Sequence, residues 1–473
     1  MNLQEFFNSI KGKTIAFCGI GRSNLPVMEL LYSKGANIVA RDKNVKLADE
    51  NSSPIAKILK NINAKLVLGE DYLKDLNEDL VLRTPGISYN VPEFQKALAR
   101  GVKLTSEMEL FFEFCPCKIY AITGSDGKTT TTSMIAKILK NANNRVHLGG
   151  NIGKPLFPII EEITEFDVAV VELSSFQLMS MKKSPQVAVI TNLSPNHLDV
   201  HKDMDEYISA KKNVYLYQDK NTKTILNLDN DITASWVGEI NGEMIGFSRL
   251  KELEKGAFEK DGVIYYNKKA ILNVDEMKLQ GGHNVENFMA AICAVYDDVE
   301  IDNIVFVAKT FGGVSHRAEF VREFKGVKYY NDSIASSPTR VIKGTLSMYD
   351  RKIILIAGGA DKGVAFDELG DVICERVKVL IIVKPSEQLE GFKKSAGDKI
   401  SDAVLKNHKF HNSTPLVIRV ENMEDAVRAA SEVAVSGDIV SLSPACTAFD
   451  MYANFEVRGN YFKELVQKLN EFE

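Results

Sequence analysis

The sequence predicts an α/β protein of three successive open-sheet domains, spanning 1–115, 116–313 and 314–473. Three observations carry that expectation. The chain has 473 residues, too many for one hydrophobic core at usual domain sizes of about 100–200 residues. Near-continuous apolar strands alternate with amphipathic helices in three separate stretches, as parallel sheets covered on both faces require. In the first two stretches a strand runs into a glycine turn and then a helix, the opening of a β-α-β unit.

The first unit begins with the strand "TIAFCG" (Thr14 to Gly19), a helix over Leu25 to Ser33 and a second strand, Asn37 to Ala40, ending at Asp42. This start is Rossmann-like. "GIGRSN" supplies Gly19 and Gly21, with Asn24 in place of a third glycine, and Asp42 follows about 20 residues on, where an acid meets a ribose hydroxyl in dinucleotide sites. A dinucleotide oxidoreductase is therefore an alternative for Met1 to Phe114, and a plain glycine turn is another.

The central unit opens with "KIYAIT" (Lys118 to Thr123) followed by "GSDGKTTTT". Gly124 and Gly127 bracket Ser125 and Asp126 at a strand end, and a helix starts at Lys128, so backbone N–H groups and the positive helix end converge on an anion. Lys128 adds a charge for terminal phosphates, and the Thr129 hydroxyl is placed for Mg²⁺. Ile122 stands where the usual phosphate loop has its first glycine, so this loop is shorter. The arrangement predicts a P-loop ATPase-like domain on a parallel or mixed sheet. Further strands are "DVAVVEL" (Asp167 to Leu173), "QVAVITNL" (Gln186 to Leu193) and "KTILNL" (Lys223 to Leu228).

Glu172 ends one of these strands, and His197 and Asp199 follow another, so the same sheet edge carries them beside Thr129. Lys211 and Lys212 lie on a helix, where a solvated lysine face is the plainer reading. Asn284 and Asn287, one turn apart on a helix from Gly281 to Val295, either read a base edge or cap a turn.

The third unit follows Gly313, with strands at "VKYYND" (Val327 to Asp332), "RKIILIAGG" (Arg351 to Gly359), "VKVLIIV" (Val377 to Val383) and "GDIVSLSP" (Gly437 to Pro444). A helix is expected over Asn422 to Val435, and another starts at Ser337-Pro338, a cap residue followed by proline. This is again a Rossmann-like open sheet.

Composition narrows the function. With 45% hydrophobic and 26% charged residues the chain is an ordinary globular protein, and 63 acidic against 58 basic residues give a net charge of −5. Nothing suggests a nucleic-acid or membrane partner, so small molecules are expected. The six cysteines are scattered and expected to be reduced. Cys115 and Cys117 are close, yet no further Cys or His stands at ligand spacing for zinc. No signal-like start and no membrane-length apolar run occurs, so the chain is expected to be cytoplasmic.

Together these stretches resemble the Mur ligase family over nearly the whole chain. Thr123 to Thr130 match its shortened loop, T-G-[ST]-x-G-K-[ST]-[ST]. "GGNIG" (Gly149 to Gly153), "ELSSFQL" (Glu172 to Leu178), "NHLD" (Asn196 to Asp199), "HNVEN" (His283 to Asn287) and "HRAE" (His316 to Glu319) are similar to family signatures in family order. "NDSIASSPT" (Asn331 to Thr339) and "LSPACTAFDMYANFEVRG" (Leu442 to Gly459) resemble the D-glutamate-adding branch.

The resemblance implies an ATP-dependent amide ligase of peptidoglycan synthesis, a monomer, that adds D-glutamate to UDP-N-acetylmuramoyl-L-alanine through an acyl phosphate and a tetrahedral intermediate. It implies ATP contacts at Gly124, Ser125, Asp126, Gly127, Lys128, Thr129, Thr130, Asn284, Asn287, Arg317 and Asp332, the last two made on closure of the C-terminal domain. Lys128, Glu172, His197 and Lys211 are the implied catalytic residues. Two Mg²⁺ ions are implied at Thr129, Glu172, His197 and a carbamylated Lys211, with Lys212 favouring the neutral amine by like-charge repulsion. The UDP-sugar is implied at Gly21, Arg22, Ser23, Asp42, Thr84, Pro85, Gly86, Asn151, Ser174 and Gln177, and D-glutamate at Lys362, Ser336, Thr447 and Phe455. Ile334 and Ala448 stand where relatives carry lysine and serine, so a related ligase with another amino acid is an alternative. A P-loop regulatory NTPase is the alternative from a different class, although no N-K-x-D occurs.

Overall fold

The computed structural model describes residues 1–49, 54–195, 201–390, 392–411 and 414–471, which fall into two units, Met1–Phe311 and Gly312–Glu473. The first unit holds two sheets and the second holds one. Among the described residues no helix is long and apolar enough to cross a membrane. All six cysteines are free thiols.

The first sheet contains β1 (Thr14–Cys18), β2 (Asn37–Asp42), β3 (Lys65–Leu68), β4 (Leu80–Arg83) and β5 (Lys103–Thr105). They run parallel in the order β3-β2-β1-β4-β5. The chain winds outward from β1 and returns to β4, so the loops after β1 and β4 lie side by side at a switch point. A Cβ on Gly19, whose φ is +86°, would lie 2.3 Å from Thr84 Cγ2. Only glycine allows this approach.

The second sheet contains β6 (Lys118–Thr123), β7 (Val146–Gly150), β8 (Val168–Glu172), β9 (Val187–Ile190), β10 (Lys223–Asn227), β11 (Glu243–Ser248), β12 (Gly256–Lys260), β13 (Val263–Tyr266) and β14 (Lys269–Asn273). Their order is β14-β13-β12-β11-β10-β9-β6-β8-β7. Strands β6 to β12 pair in parallel, whereas β12, β13 and β14 form antiparallel hairpins. The hairpin turns place both Asp261 and Gly262, and both Asn267 and Lys268, at positive φ, the backbone that matches strand twist. Sequence patterning did not anticipate these hairpins.

The third sheet contains β15 (Glu319–Phe324), β16 (Val327–Asn331), β17 (Ile353–Ala357), β18 (Val377–Val383), β19 (Leu416–Val420) and β20 (Ile439–Leu442). The order is β15-β16-β20-β17-β18-β19, antiparallel only at β15. The expected strands are present, β18 with the bounds expected and β16, β17 and β20 with shorter ends: β17 stops at Ala357 because Gly358 and Gly359, at φ +128° and +151°, turn the chain. Helix Pro338–Lys343 starts at proline as expected, but the Ser337 side chain makes no cap hydrogen bond.

Between the two sheets of the first unit, helix Glu107–Phe114 packs against the Phe157–Glu162 turn and the N-terminal helix Leu3–Ser9. Phe6, Phe114 and Phe157 pack with ring centroids 4.8–6.3 Å apart. Glu107 is buried in this apolar seam, where its carboxylate accepts the Leu156 and Phe157 amides at 2.8 and 3.0 Å. Arg83, 1% exposed, donates from β4 to Phe176 O at 2.8 Å and to Ser180 Oγ at 2.9 Å.

Glu107→Ala orphans two buried amides and is expected to destabilise the first unit by about 1–3 kcal/mol per amide, whereas Glu107→Gln retains an acceptor. Burial holds the Glu107 carboxyl above the usual range, so the native state binds its proton more tightly than the unfolded chain. This group's contribution to stability therefore falls as pH rises past the ordinary Glu range, a slope the Gln variant lacks. Urea unfolding followed by Trp236, the single tryptophan and buried in this unit, reads both.

Candidate active site

Strand β6 is buried along nearly its whole length and delivers the chain into the glycine loop. Gly124 has φ +147° and Gly127, the N-cap of helix Lys128–Asn141, has φ +76°. A Cβ at Gly124 would meet Thr191 Oγ1 at 1.9 Å, and one at Gly127 would meet Asn287 Oδ1 at 2.1 Å. Both glycines are therefore required by close packing as well as by backbone angle.

The segment after β9 braces the loop from behind. Ser125 N donates to Asn192 O and Asp126 N to Asn192 Oδ1, each at 2.9 Å. Thr191 Oγ1 donates to Asp126 O. Ser125 Oγ lies 3.0 Å from both Ser194 O and Tyr207 OH. The Ser125 and Asp126 amides are thus engaged within the protein, so the anion-facing donors are those of the helix's first turn, where an α-helix has no intrahelical acceptors. This narrows the expectation that the whole loop presents its amides.

Glu172 ends β8 beside that turn and is 1% exposed. Its two oxygens accept from Thr129 Oγ1 and Asn151 Nδ2, both at 2.7 Å. The approach is backed by Gly150, where a Cβ would lie 2.2 Å from Glu172 O. A buried carboxylate held by neutral donors and sharing a hydroxyl with the phosphate loop is a hard-oxygen set of the kind Mg²⁺ takes. Among the described residues no group of three or more His, Cys, Asp or Glu gathers for a metal. His197 and Asp199 lie outside the described residues.

Lys211, on helix Met204–Lys212, is 1% exposed. Its Nζ donates to Thr123 Oγ1 at 3.1 Å and to Gly124 O at 2.8 Å. Lys128 Nζ donates to the same Gly124 O at 3.0 Å and to Ser125 O at 2.9 Å. Burial, then the Lys128 charge, hold the Lys211 pKa well below the ordinary lysine value, against the pull of Glu172 and Asp126. Lys212 does not contribute as expected: it turns away to Glu239, 2.6 Å distant. The solvated lysine pair is overturned as well, because successive helical residues point about 100° apart and only one faces the loop.

Asn287 is buried, and its Oδ1 accepts from Thr131 Oγ1 at 3.2 Å behind Gly127. Asn284 Nδ2 donates to Gln280 O at 2.8 Å. Neither stands as an unengaged base reader, and Asn287 buttresses the phosphate loop. His201, which sequence reasoning passed over, is fully buried: Nε2 lies 2.8 Å from Ser175 Oγ, Nδ1 lies 3.2 Å from Glu206 Oε2, and the ring stacks on Phe176. The only sequence signal was a second histidine shortly after His197.

At the switch point of the first sheet, Gly21, Arg22 and Ser23 follow β1, and Thr84, Pro85 and Gly86 follow β4. Asp42 at the end of β2 accepts from Ile20 N at 2.7 Å and Asn44 N at 2.8 Å. Its carboxylate closes the glycine turn. Ser174 and Gln177 bond one another as a capping box on helix Ser175–Leu178.

In the second unit, the loops after β16, β17 and β20 bring together Ser336, Lys362 and Thr447. Lys362 Nζ donates to Ser336 O at 3.2 Å, and Ala360 N to Thr447 O at 2.8 Å. Phe455 opens helix Phe455–Gln467 and meets His316 edge-on. Arg317 is exposed. Asp332 is buried, bonded by Thr345, Ser443 and the Ala318 amide, and burial raises its pKa.

Residues 122–295 match the Mur ligase middle domain and residues 316–446 the Mur ligase, glutamate ligase domain. The UDP-N-acetylmuramoylalanine--D-glutamate ligase of Clostridium kluyveri is 47% identical over 470 residues, covering 99% of each chain. The protein of that name from Acetivibrio thermocellus is 48% identical over 477 residues, with the same coverage. Among solved structures, UDP-N-acetylmuramate-alanine ligase of Thermotoga maritima is similar with a TM-score of 0.54 at 18% identity, over 97% of this chain and 100% of that one. A MurF ligase of Thermotoga maritima in complex with ADP has a TM-score of 0.50 at 16% identity, over 98% of this chain and 97% of that one. These two likenesses concern the fold.

If Asn287 supports the phosphate loop, Asn287→Ala weakens ATP and inorganic tripolyphosphate by the same factor. Competition measurements that show a loss for ATP alone would return Asn287 to base recognition.

Proposed function

The chain belongs to the Mur ligase family, and from that premise we propose that it joins D-glutamate to UDP-N-acetylmuramoyl-L-alanine, converting ATP to ADP and phosphate. The observation that carries this reading is the convergence of Lys128, Thr129, Glu172 and buried Lys211 on one end of the glycine loop. The close relatives' printed name supplies the substrates. We assign the UDP-sugar to 1–115, ATP to 116–313 and the amino acid to 314–473, in a cytoplasmic monomer. Six free thiols fit a reducing compartment.

In this reading the helix start and Lys128 hold the ATP phosphates while the terminal phosphoryl group passes to the alanyl carboxylate. The resulting acyl phosphate has a good leaving group where the carboxylate had none. The D-glutamate amine adds to its carbonyl carbon, and phosphate departs from the tetrahedral intermediate. Thr129, Glu172, His197 and Lys211 are the residues that would hold two Mg²⁺, whose charge offsets that of the crowded anions. Thr84, Pro85 and Gly86, beside Gly21 to Ser23, line the proposed UDP-sugar site, with Asn151, Ser174 and Gln177 toward its alanyl end. Lys362, Ser336, Thr447 and Phe455 form the proposed D-glutamate pocket. Thr447 takes the hydroxyl role that Ala448 lacks.

A neutral lysine amine attacks CO₂ at carbon and releases a proton, giving a carbamate anion. Lys211 has the buried position and the cationic neighbour that favour the neutral amine, so we assign the modification to it.

The decisive assay measures phosphate release with ATP, UDP-N-acetylmuramoyl-L-alanine and a panel of amino acids. Release is expected only when the sugar nucleotide and D-glutamate are both present. Release with ATP alone would indicate a regulatory NTPase, and release with a different amino acid would move the specificity. For Lys211, carbon NMR with labelled bicarbonate is expected to show one carbamate resonance that disappears in an inactive Lys211→Arg variant. A fully active enzyme without that resonance would refute carbamylation.

A further inference from the structure

Helix Glu107–Phe114 ends at Cys115, whose amide donates to Phe111 O at 2.8 Å, and β6 begins at Lys118. Pro116, with a locked φ and no amide hydrogen, joins Cys115 to Cys117 across that junction. The two sulfur atoms lie 3.4 Å apart. They differ in access: Cys115 is partly exposed, whereas Cys117 is 3% exposed. Cys18, Cys293, Cys374 and Cys446 are all buried, and none makes a contact of this kind with a second thiol among the described residues.

We propose that Cys115 and Cys117 form a redox-active dithiol that is oxidised by low-molecular-weight disulfides. Cys115 is the attacking sulfur, because it is reachable and because the Cys117 thiol and the Lys183 charge favour its thiolate. Burial pushes the thiols of Cys18, Cys293 and Cys446 up to about 12, which leaves them inert. The Cys115 thiolate attacks one sulfur of the reagent disulfide, and the first reagent thiolate leaves and takes up a proton. Cys117, losing its proton to solvent, then attacks the Cys115 sulfur and expels the second reagent thiol. The pair loses two electrons and two protons, and the reagent gains them as two thiols. The product is an intrachain disulfide at the start of the strand that ends in the phosphate loop.

The test exposes the full-length protein to oxidised glutathione, blocks remaining thiols with iodoacetamide and maps the peptides by mass. The wild-type peptide carrying both cysteines is expected to lose two hydrogens and to resist alkylation, while the other four cysteines alkylate only after unfolding. Cys117→Ser is expected to trap glutathione on Cys115, and Cys115→Ser to react far more slowly at Cys117. An unoxidised wild-type peptide, a stable glutathione adduct on wild-type Cys115, or equal reaction of Cys115→Ser would overturn the proposal.

Discussion

One carbonyl oxygen, that of Gly124, receives hydrogen bonds from two lysine side chains. Two like charges about 4 Å apart repel by about 4 kcal/mol at the effective dielectric of a protein site. Lys128 is only partly buried, whereas Lys211 is enclosed at 1% exposure, so the lysine driven toward neutrality is Lys211. Burial and repulsion act in the same direction there, and the Glu172 and Asp126 charges only partly oppose them. The rest of the centre depends on this arrangement: a helix start, a buried carboxylate and a lysine whose pKa is lowered by burial and by Lys128 all lie against one short loop.

Such crowding is possible because the surrounding backbone has no side chains to accommodate. Gly124, Gly127 and Gly150 lie against Thr191, Asn287 and the Glu172 carbonyl at distances no Cβ tolerates. The same device recurs at Gly19, against Thr84, in the first sheet. Parallel strands supply the second requirement. Their C-terminal ends gather loops distant in sequence onto one edge, which brings residues after β16, β17 and β20 into hydrogen-bonding reach in the second unit.

Much of the fold was legible in the chain because buried parallel strands are written as unbroken apolar runs. Val377–Val383 appears in the structure with the bounds its apolar run suggested. The β12 to β14 hairpins escaped notice because these strands are only four or five residues long, too short for a periodic pattern to stand out. The glycine, lysine and threonine of the phosphate loop, and Glu172, were legible as types at strand ends. The second bonds that these residues make were not. Asp42 also closes a turn through the Ile20 amide, and Asn287 also supports Gly127 from behind, bonds that no local pattern announces.

By itself, the sequence determined the architecture and the inventory of reactive groups, since apolar periodicity and local glycine turns depend on neighbours along the chain. Only the tertiary structure decided which groups share an environment. Lys211 and Lys212 are adjacent in sequence, yet one is enclosed against Gly124 O and the other pairs with Glu239. Desolvation and charge repulsion act through space, so which lysine has its pKa lowered is set first by burial and then by Lys128, distant in sequence and close in the fold.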